Sequence, residues 1–356
     1  MAPRKIIDSH IHLWPKETSN ETGHAWMTPP DMALAKPHLL KDYFAVADGH
    51  QDVEVQGVIY VETDVRYDAP NGDVASWAKG PLDEISFLRA TVEGKYDVRD
   101  SKMLFGLVPW APMDQPTNVL EEYLALAEER AGPQVWERVK GFRFLLQFIS
   151  DQAVFGRLVL GQDFQDNLKL LGKRGFSFDV GVDQHRAGTW QLTLMAKAVE
   201  MAHAGVPIEE KVTFILNHLC KPDYGETKWT SGKDSLSRRA FTAWCDAIEL
   251  LAKQDETYMK LSGQFSEMPS TQGTLRDLAD TCHPWIEHVL KCFGPKRVMF
   301  GSDWPVCNVS GPSGEKSWVV WRGFVEASLD GPEHALSNED LDWIWHKTAT
   351  EAYRLR

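Results

Sequence analysis

The sequence has few cysteines, and no two of them have the spacing of a redox or zinc motif. Its 356 residues include five cysteines, an odd number, with no Cys-x-x-Cys pair. A secreted, disulfide-stapled protein normally carries an even number of cysteines at higher density. We therefore expect free thiols and a reducing compartment, the cytoplasm.

Long apolar runs are missing as well. No stretch reaches the roughly 18 consecutive apolar residues of a transmembrane helix. The segment MAPRKIIDSHIHLWP lacks the apolar core of a secretory signal. The expectation from both absences is a cytoplasmic protein without a membrane partner.

Basic residues are fewer than acidic residues. The chain has 38 Lys and Arg against 51 Asp and Glu, a formal net charge of −13 at pH 7. An acidic surface repels phosphate backbones, so nucleic acid is not an expected partner. A small-molecule substrate is expected, and the sequence leaves a homo-oligomer open.

Short apolar segments rich in Val, Ile, Phe and Leu recur along the chain. They occupy residues 6–12, 55–62, 103–110, 139–146, 176–182, 212–218, 257–262 and 297–303. Runs of this kind are typical of parallel strands that are buried on both faces.

The intervening stretches carry helical periodicity. Amphipathic patterns predict helices over 118–130, 190–204, 236–253, 275–292, 318–328 and 337–354. A Ser337-x-x-Asp340 capping box begins the last of them. Strands alternating with helices predict an α/β fold, a single (β/α)8 TIM barrel over residues 1–356. Residues 16–49 are predicted as an extended β1–α1 loop over the mouth of the barrel.

The first predicted strand ends in a pair of histidines. Side chains alternate along a strand, so His10 and His12 share one face. Two imidazoles at the carboxyl end of a barrel strand can bind one divalent metal. An isolated His-x-His is a weak signal, and its position at a strand end is what strengthens it.

Two other predicted strands end in residues of the same chemistry. The eighth runs into Asp303, whose carboxylate can bind a metal and act as a general base toward water. The alternative for Asp303 is a helix N-cap. The sixth strand ends in His218.

Charged residues also lie inside apolar runs. Arg143 and Lys260 need a partner or a substrate anion, because burying an unpaired cation is costly. Glu62, at the end of the second strand, is a candidate for that partner or for a substrate contact. Substrate binding and an internal salt bridge both stay open.

Tryptophan is abundant, with 14 in the chain, and three follow predicted strands: Trp14, Trp110 and Trp304. An indole can stack on a sugar or a ring, and ordinary packing is the alternative.

Taken together, the motifs DSHIHLW, GFRF, NHLCKP, MKLSG and FGSDWPV resemble the amidohydrolase-2 branch of the amidohydrolase superfamily. Within it, the chain resembles the sugar-acid lactonases that act on L-rhamnono- and L-fucono-lactones. The resemblance extends over residues 5–354. It departs at Thr348-Ala349, where the family usually has Asn-Ala.

The resemblance implies roles for particular residues. His10 and His12 match the metal pair, and Asp303 matches the acid that binds metal and moves the proton. His218 and Lys221 match a histidine and a lysine after the sixth strand. His185, at or just past the end of the fifth strand, is expected to be a further metal ligand.

The expected activity is metal-assisted hydrolysis of a sugar-acid lactone, such as L-rhamnono-1,4-lactone, to the aldonic acid. A divalent metal, with Zn²⁺ as the first candidate, would polarise the carbonyl or lower the pKa of a water. The metal would be weakly held or dispensable if His185 is not a ligand. Asp303 would take the water's proton and pass it to the ring oxygen, and His218 would orient the water or stabilise the oxyanion. The expected substrate contacts are Glu62, Arg143, Lys221, Lys260, Trp14, Trp110 and Trp304.

The alternative activity is that of a zinc-dependent decarboxylase of an aromatic or muconate-type acid. Related decarboxylases use three histidines and one aspartate. The weak signal for the fifth-strand histidine and the KLSG strand favour the lactonase.

Overall fold

Two parallel β-sheets form the centre of the computed structural model, which describes residues 3–30, 32–225, 236–331 and 335–355. The first sheet has the order β1-β2-β3 and the second the order β4-β5-β6-β7-β8. Every neighbouring pair within them is parallel. The strands are β1 (Arg4–Ile11), β2 (Val53–Val61), β3 (Leu104–Val108), β4 (Gly141–Arg143), β5 (Ser177–Val180), β6 (Thr213–Leu216), β7 (Thr257–Leu261) and β8 (Val298–Phe300).

Helices separate the strands in sequence. They are α1 (Leu40–Ala47), α2 (Val74–Trp77), α3 (Lys79–Val92), α4 (Val98–Ser101), α5 (Thr117–Ala131), α6 (Pro133–Trp136), α7 (Gln152–Val159), α8 (Gln162–Lys173), α9 (Thr189–His203), α10 (Leu236–Ala252), α11 (Leu275–Phe293), α12 (Cys307–Ser310), α13 (Ser317–Leu329), α14 (Asn338–Asp342) and α15 (Thr348–Ala352). A π-helical turn, Trp343–Lys347, joins the last two. Within the described ranges, no helix has both the length and the apolarity to cross a membrane.

Each predicted strand overlaps one observed strand, and every observed strand stops one to three residues before the predicted end. Strand β6 ends at Leu216 because His218, Leu219, Cys220 and Lys221 all have left-handed backbone angles, with φ between 46° and 58°. Asp303, after β8, has φ 59°. Left-handed residues cannot continue a strand, so the last residues of the predicted runs form turns at the sheet edge.

The six predicted helices are all present, and the capping box between Ser337 and Asp340 is formed. The predicted loop 16–49 is partly wrong, because α1 occupies its final third. That helix buries Leu40, Tyr43, Phe44 and Ala47, the i, i+3, i+4, i+7 spacing of an amphipathic helix. Its eight residues are too short a pattern to stand out beside a proline-rich stretch.

Backbone contacts also cross between the two sheets. Isolated parallel bridges pair Leu107 with Val139, Trp110 with Arg143, and Ile11 with Trp304. At the last of these, the His12 N–H donates to the Trp304 carbonyl and the Asp303 N–H donates to the His10 carbonyl, both at 2.8 Å. The carboxyl ends of β1 and β8 are therefore held side by side.

Two helical glycines give a matched test of this packing. A Cβ on Gly172, in α8, would overlap the backbone of Glu210 and Val212, whereas one on Gly156, in α7, would meet only Leu194 Cδ1 at 3.6 Å. We expect Gly172→Ala to lower the free energy of unfolding by about 1–3 kcal/mol. Gly156→Ala should raise it by up to about 1 kcal/mol, because alanine favours a helix more than glycine does. Urea unfolding of both variants measures this, and equal effects would contradict the packing.

Candidate active site

Three histidines and one aspartate converge at the carboxyl ends of β1, β6 and β8. His10 Nε2 lies 3.2 Å from His12 Nε2. Asp303 Oδ1 lies 3.6 Å from His10 Nε2, 3.3 Å from His12 Nε2 and 3.8 Å from His218 Nε2. All four side chains are buried. The structure thus brings His10, His12 and Asp303 together, as the sequence predicted, and adds His218 to the same cluster.

The other ring nitrogen of each histidine has a partner. His12 Nδ1 lies 2.8 Å from the Val61 carbonyl, which can only accept, so Nδ1 carries the hydrogen and Nε2 keeps its lone pair. His218 Nδ1 lies 2.9 Å from Ser262 Oγ. His10 Nδ1 lies 3.2 Å from Lys260 Nζ. A metal-binding histidine typically donates its other ring N–H to an outer acceptor, which leaves one lone pair directed at the metal. The Val61 carbonyl and the Ser262 hydroxyl can accept in this way. Lys260, whose pKa burial lowers, can accept from His10 Nδ1 only as a neutral amine.

The spacing of the donor atoms fits one metal ion. Ligands at about 2.1 Å from a tetrahedral centre lie about 3.4 Å from one another. The four separations that join His10 to His12 and Asp303 to each of the three histidines are 3.2–3.8 Å, close to that value. His10, His218 and Asp303 also form a group whose ligand atoms all lie within 4.8 Å of one another. Imidazole and carboxylate donors suit Zn²⁺ and related divalent ions.

The protonation states also suit a cation. Burial, with Lys260 next in importance, lowers the pKa of His10 well below 6.5. Burial lowers the pKa of His218 to about 3, although Asp303 opposes the shift. Burial raises the pKa of Asp303, but the neighbouring His218 and His12 outweigh it, so the pKa lies below 3.8. The site therefore offers neutral imidazoles at His10 and His218 and an ionised carboxylate at Asp303 at neutral pH.

A cavity of about 230 Å³ opens onto this cluster. The loop between β1 and α1 supplies part of its wall through Trp14, Trp26 and Leu34. Its apolar lining also includes Leu145, Phe148 and Val306, and its polar lining consists of His12, Thr63, Asp64, Arg143, Gln147, His218, Lys221 and Asp303. The cavity is thus lined both by apolar side chains and by charged or hydrogen-bonding side chains.

Arg143 forms an internal ion pair and also reaches the cavity. Its Nε donates to Glu62 Oε1 at 2.5 Å, its Nη2 donates to the Glu62 carbonyl at 2.6 Å, and it also lines the cavity. Burial disfavours the charged guanidinium, but Glu62 outweighs that effect and raises the pKa of Arg143. Glu62 itself is fully buried and is the partner of Arg143, outside the cavity lining.

Lys260 is placed differently from its expected role in substrate binding. Its Nζ lies 2.7 Å from Asp179 Oδ2, fully buried, and it is absent from the described cavity lining. Tyr353 donates to the same carboxylate at 2.8 Å. Lys260 therefore forms an internal ion pair with Asp179. Its position in β7 also brings it into contact with His10.

Of the three tryptophans predicted to contact the substrate, one lines the cavity and two do not. Trp14 lines the cavity. Trp110 packs on Tyr67 and Tyr123, with ring centroids 4.7 and 5.2 Å away, and Trp304 packs on His38 at 5.2 Å. Neither Trp110 nor Trp304 is in the described lining, so the structure assigns both to packing.

The structure does not bring His185 to the cluster, which corrects the expectation that it is a metal ligand. Its Nδ1 lies 3.0 Å from Glu267 Oε2, and its side chain is 40% exposed. Strand β5 ends at Val180, so His185 lies five positions beyond the strand end. His218 supplies the third imidazole of the cluster instead.

Asp64 and Trp26 are among the cavity residues that were not singled out from the sequence. Asp64 lies beyond the end of β2 at Val61 and has a left-handed φ of 57°, so strand alternation does not indicate it. Trp26 lies in the β1–α1 loop, where its Nε1 donates to the Thr63 carbonyl at 2.8 Å. No periodic pattern in that loop marks Trp26.

Comparison with known proteins places the chain in a family. The sequence model of the family described as Amidohydrolase matches residues 7–355, and the chain belongs to this family. It is 27% identical to an L-rhamnono-gamma-lactonase of Scheffersomyces stipitis, over 100% of both chains. It is 28% identical to an L-fucono-1,5-lactonase of Burkholderia multivorans, over 98% of this chain and 96% of the relative.

A solved structure shares the fold over the whole length. It is an amidohydrolase from Burkholderia multivorans with bound zinc, with a TM-score of 0.69 and 24% sequence identity over 100% of both chains.

The buried pair of Arg143 and Glu62 generates a stability prediction. Arg143→Met leaves Glu62 as an unpaired buried charge, so we expect a loss of about 3–5 kcal/mol in the free energy of unfolding. Adding Glu62→Gln removes that charge and should restore part of the loss. Urea unfolding of both single variants and the double variant measures the coupling. If the double variant loses the sum of the two single losses, the pair does not contribute as described.

Proposed function

We propose that this protein hydrolyses a sugar-acid lactone to the corresponding aldonic acid. The observation that carries the proposal is the cluster of three histidines and Asp303 at the base of a cavity that also presents Arg143 and Lys221. The full-length similarity to two proteins named as lactonases supports the same reaction. A cyclic ester needs an activated water, a proton acceptor and positive charge near the carbonyl oxygen, and the cavity offers residues for each.

A divalent metal held by His10, His12, His218 and Asp303 would supply polarisation of the lactone carbonyl and a lowered pKa for the attacking water. Asp303 is ionised at neutral pH and accepts the proton of that water at the carboxylate oxygen that does not face the three imidazoles. Arg143 and Lys221 bind the substrate's hydroxyls and carbonyl oxygen, where charge develops. Trp14 and Trp26 cover the less polar face of the ring.

His218 has two candidate roles, and its tautomer separates them. As a ligand it needs the Nε2 lone pair, so Nδ1 donates to Ser262 Oγ. As an oxyanion donor it needs Nε2–H, so the Ser262 hydroxyl donates to Nδ1. We propose the ligand role, because the same arrangement, with Nδ1 paired and Nε2 facing Asp303, is found in His12.

We also propose that the two sheets close into one (β/α)8 barrel and that residues 1–356 form a single domain. The bridges Leu107–Val139, Trp110–Arg143 and Ile11–Trp304 at the two seams support the closure. One large cluster of buried apolar residues runs from Ile6 to Trp345, which supports the single domain.

A pH-indicator screen tests the activity directly. Aldonolactones of five- and six-membered ring size are offered to the metal-loaded protein and to protein treated with a chelator. We expect acid release from at least one lactone and its loss, or a large decrease, after chelation. A parallel assay for CO₂ release from hydroxybenzoic acids covers decarboxylation. Carbon dioxide release without any lactone hydrolysis would overturn the proposal.

Asp303→Asn tests the proton acceptor. The substitution keeps size and shape but removes the basic oxygen, so we expect kcat on the best lactone to fall by about 10²–10⁴-fold. Metal analysis should still find part of the metal, since the histidines remain. Exposed Asp114, outside the cavity lining, provides the matched control Asp114→Asn. Near-normal turnover by Asp303→Asn would remove Asp303 from the chemistry.

A further inference from the structure

We infer that Asp64 is a second catalytic carboxyl, which donates a proton to the ring oxygen as the lactone opens; this assignment rests on the proposed hydrolytic function. Asp303 faces the attacking water and then holds its proton. With a separate proton donor beside the ring oxygen, Asp303 does not need to transfer the water's proton to that oxygen.

The positions of the two acids suit opposite ends of one substrate. Asp64 follows β2, Asp303 follows β8, and β1 lies between these strands. β1 pairs with β2 along its length and bridges to Trp304 through Ile11. Both acids line the same cavity. They therefore flank His12, which lines the cavity from the end of β1.

The Asp64 carboxyl is the one acidic group of the described cavity lining that has no partner. Neither of its carboxyl oxygens makes a hydrogen bond or an ion pair in the described parts of the chain, whereas Asp303 contacts three histidines. Its backbone N–H donates to Glu62 Oε2 at 2.5 Å, and its φ is 57°. Glu62, tied to Arg143, thus fixes the turn while the Asp64 side chain stays available to a ligand.

The burial of Asp64 favours its protonated form. Burial raises the pKa of Asp64 to about 6, Glu62 adds to the shift, and Arg143 and Arg66 oppose it. Tyr67 also interacts with it electrostatically, and the other charged or titratable groups of the cavity are His12, His218, Lys221 and Asp303. Two carboxyls whose pKa values are shifted in opposite directions are the usual pattern of a general acid and a general base.

The proton count balances with these two groups. Water loses one proton to Asp303 while its oxygen bonds to the carbonyl carbon. The bond from that carbon to the ring oxygen breaks, and the ring oxygen takes the proton of Asp64. The product is the hydroxy acid, which ionises in solvent. Asp303 then releases its proton and Asp64 regains one, both by exchange with water.

Asp64→Asn tests the assignment, with Asp68→Asn as the control because Asp68 is exposed on the same loop and outside the cavity lining. A donor must be protonated, so kcat of the unmodified protein on an aldonolactone should fall as pH rises through the pKa of Asp64. Asp64→Asn should lose this basic limb and lower kcat by about 10²–10³-fold. Dihydrocoumarin, a lactone whose leaving group is a phenoxide, needs little protonation, so its hydrolysis should fall less than tenfold. Metal content should match that of the unmodified protein.

The outcomes separate this inference from the function on which it rests. If the unmodified protein hydrolyses an aldonolactone but Asp64→Asn keeps the basic limb, Asp64 is not the donor and the hydrolytic function stands. If Asp64→Asn lowers kcat equally on the aldonolactone and on dihydrocoumarin and keeps the basic limb of the pH profile, Asp64 is a structural or binding residue. If the unmodified protein hydrolyses no lactone, both the function and this assignment fail.

Discussion

The burial of three imidazoles within about 4 Å of one carboxylate oxygen, Asp303 Oδ1, is the constraint on which the rest of the structure depends. Buried polar groups must be hydrogen-bonded or paired, since desolvation otherwise costs several kcal/mol. Each imidazole accordingly has an outer partner, in Val61, Ser262 or Lys260. The loss of any of these partners would free a ring to turn away from Asp303.

Asp8 extends this support from the cluster to the helices. Its carboxyl oxygens accept the Ser302 N–H at 2.8 Å, the Tyr43 hydroxyl at 2.9 Å and the Trp318 indole at 3.1 Å. Tyr43 lies in α1 and Trp318 in α13, so one buried carboxyl joins β1, the turn before Asp303 and two helices. The positions of His10 and Asp303 therefore depend on the packing of the whole first and last units of the fold.

Each of the three cations that the sequence singled out has a carboxylate partner, and they differ in whether they reach the cavity. Arg143 pairs with Glu62, Lys260 with Asp179, and Lys221 lies 3.7 Å from Glu267 Oε1. Only Arg143 and Lys221 also line the cavity. The sequence indicated that these charges are special but contained no signal for which of them reach a substrate, because that depends on the length of each strand and the turn that follows it.

The same reason explains which other predictions succeeded. The strand and helix pattern, the His10–His12 pair, Asp303 and His218 follow from local periodicity and from the common edge of parallel strands. The prediction that His185 is a metal ligand was wrong. Strand β5 ends before the predicted boundary, and periodicity does not indicate where a side chain beyond a strand end lies. Trp110 and Trp304 follow strands as predicted, yet pack inward, since side-chain direction in a turn depends on tertiary contacts. Asp64 went unrecognised because its chemistry arises from burial and from Glu62, which no linear motif records.

X-ray absorption at the zinc edge tests the central claim, that His10, His12, His218 and Asp303 form one metal centre. The Zn²⁺-loaded protein should show three imidazole ligands. His218→Ala should reduce that number by one, and His185→Ala should leave it unchanged. Loss of an imidazole in His185→Ala, with all three retained in His218→Ala, would contradict the account.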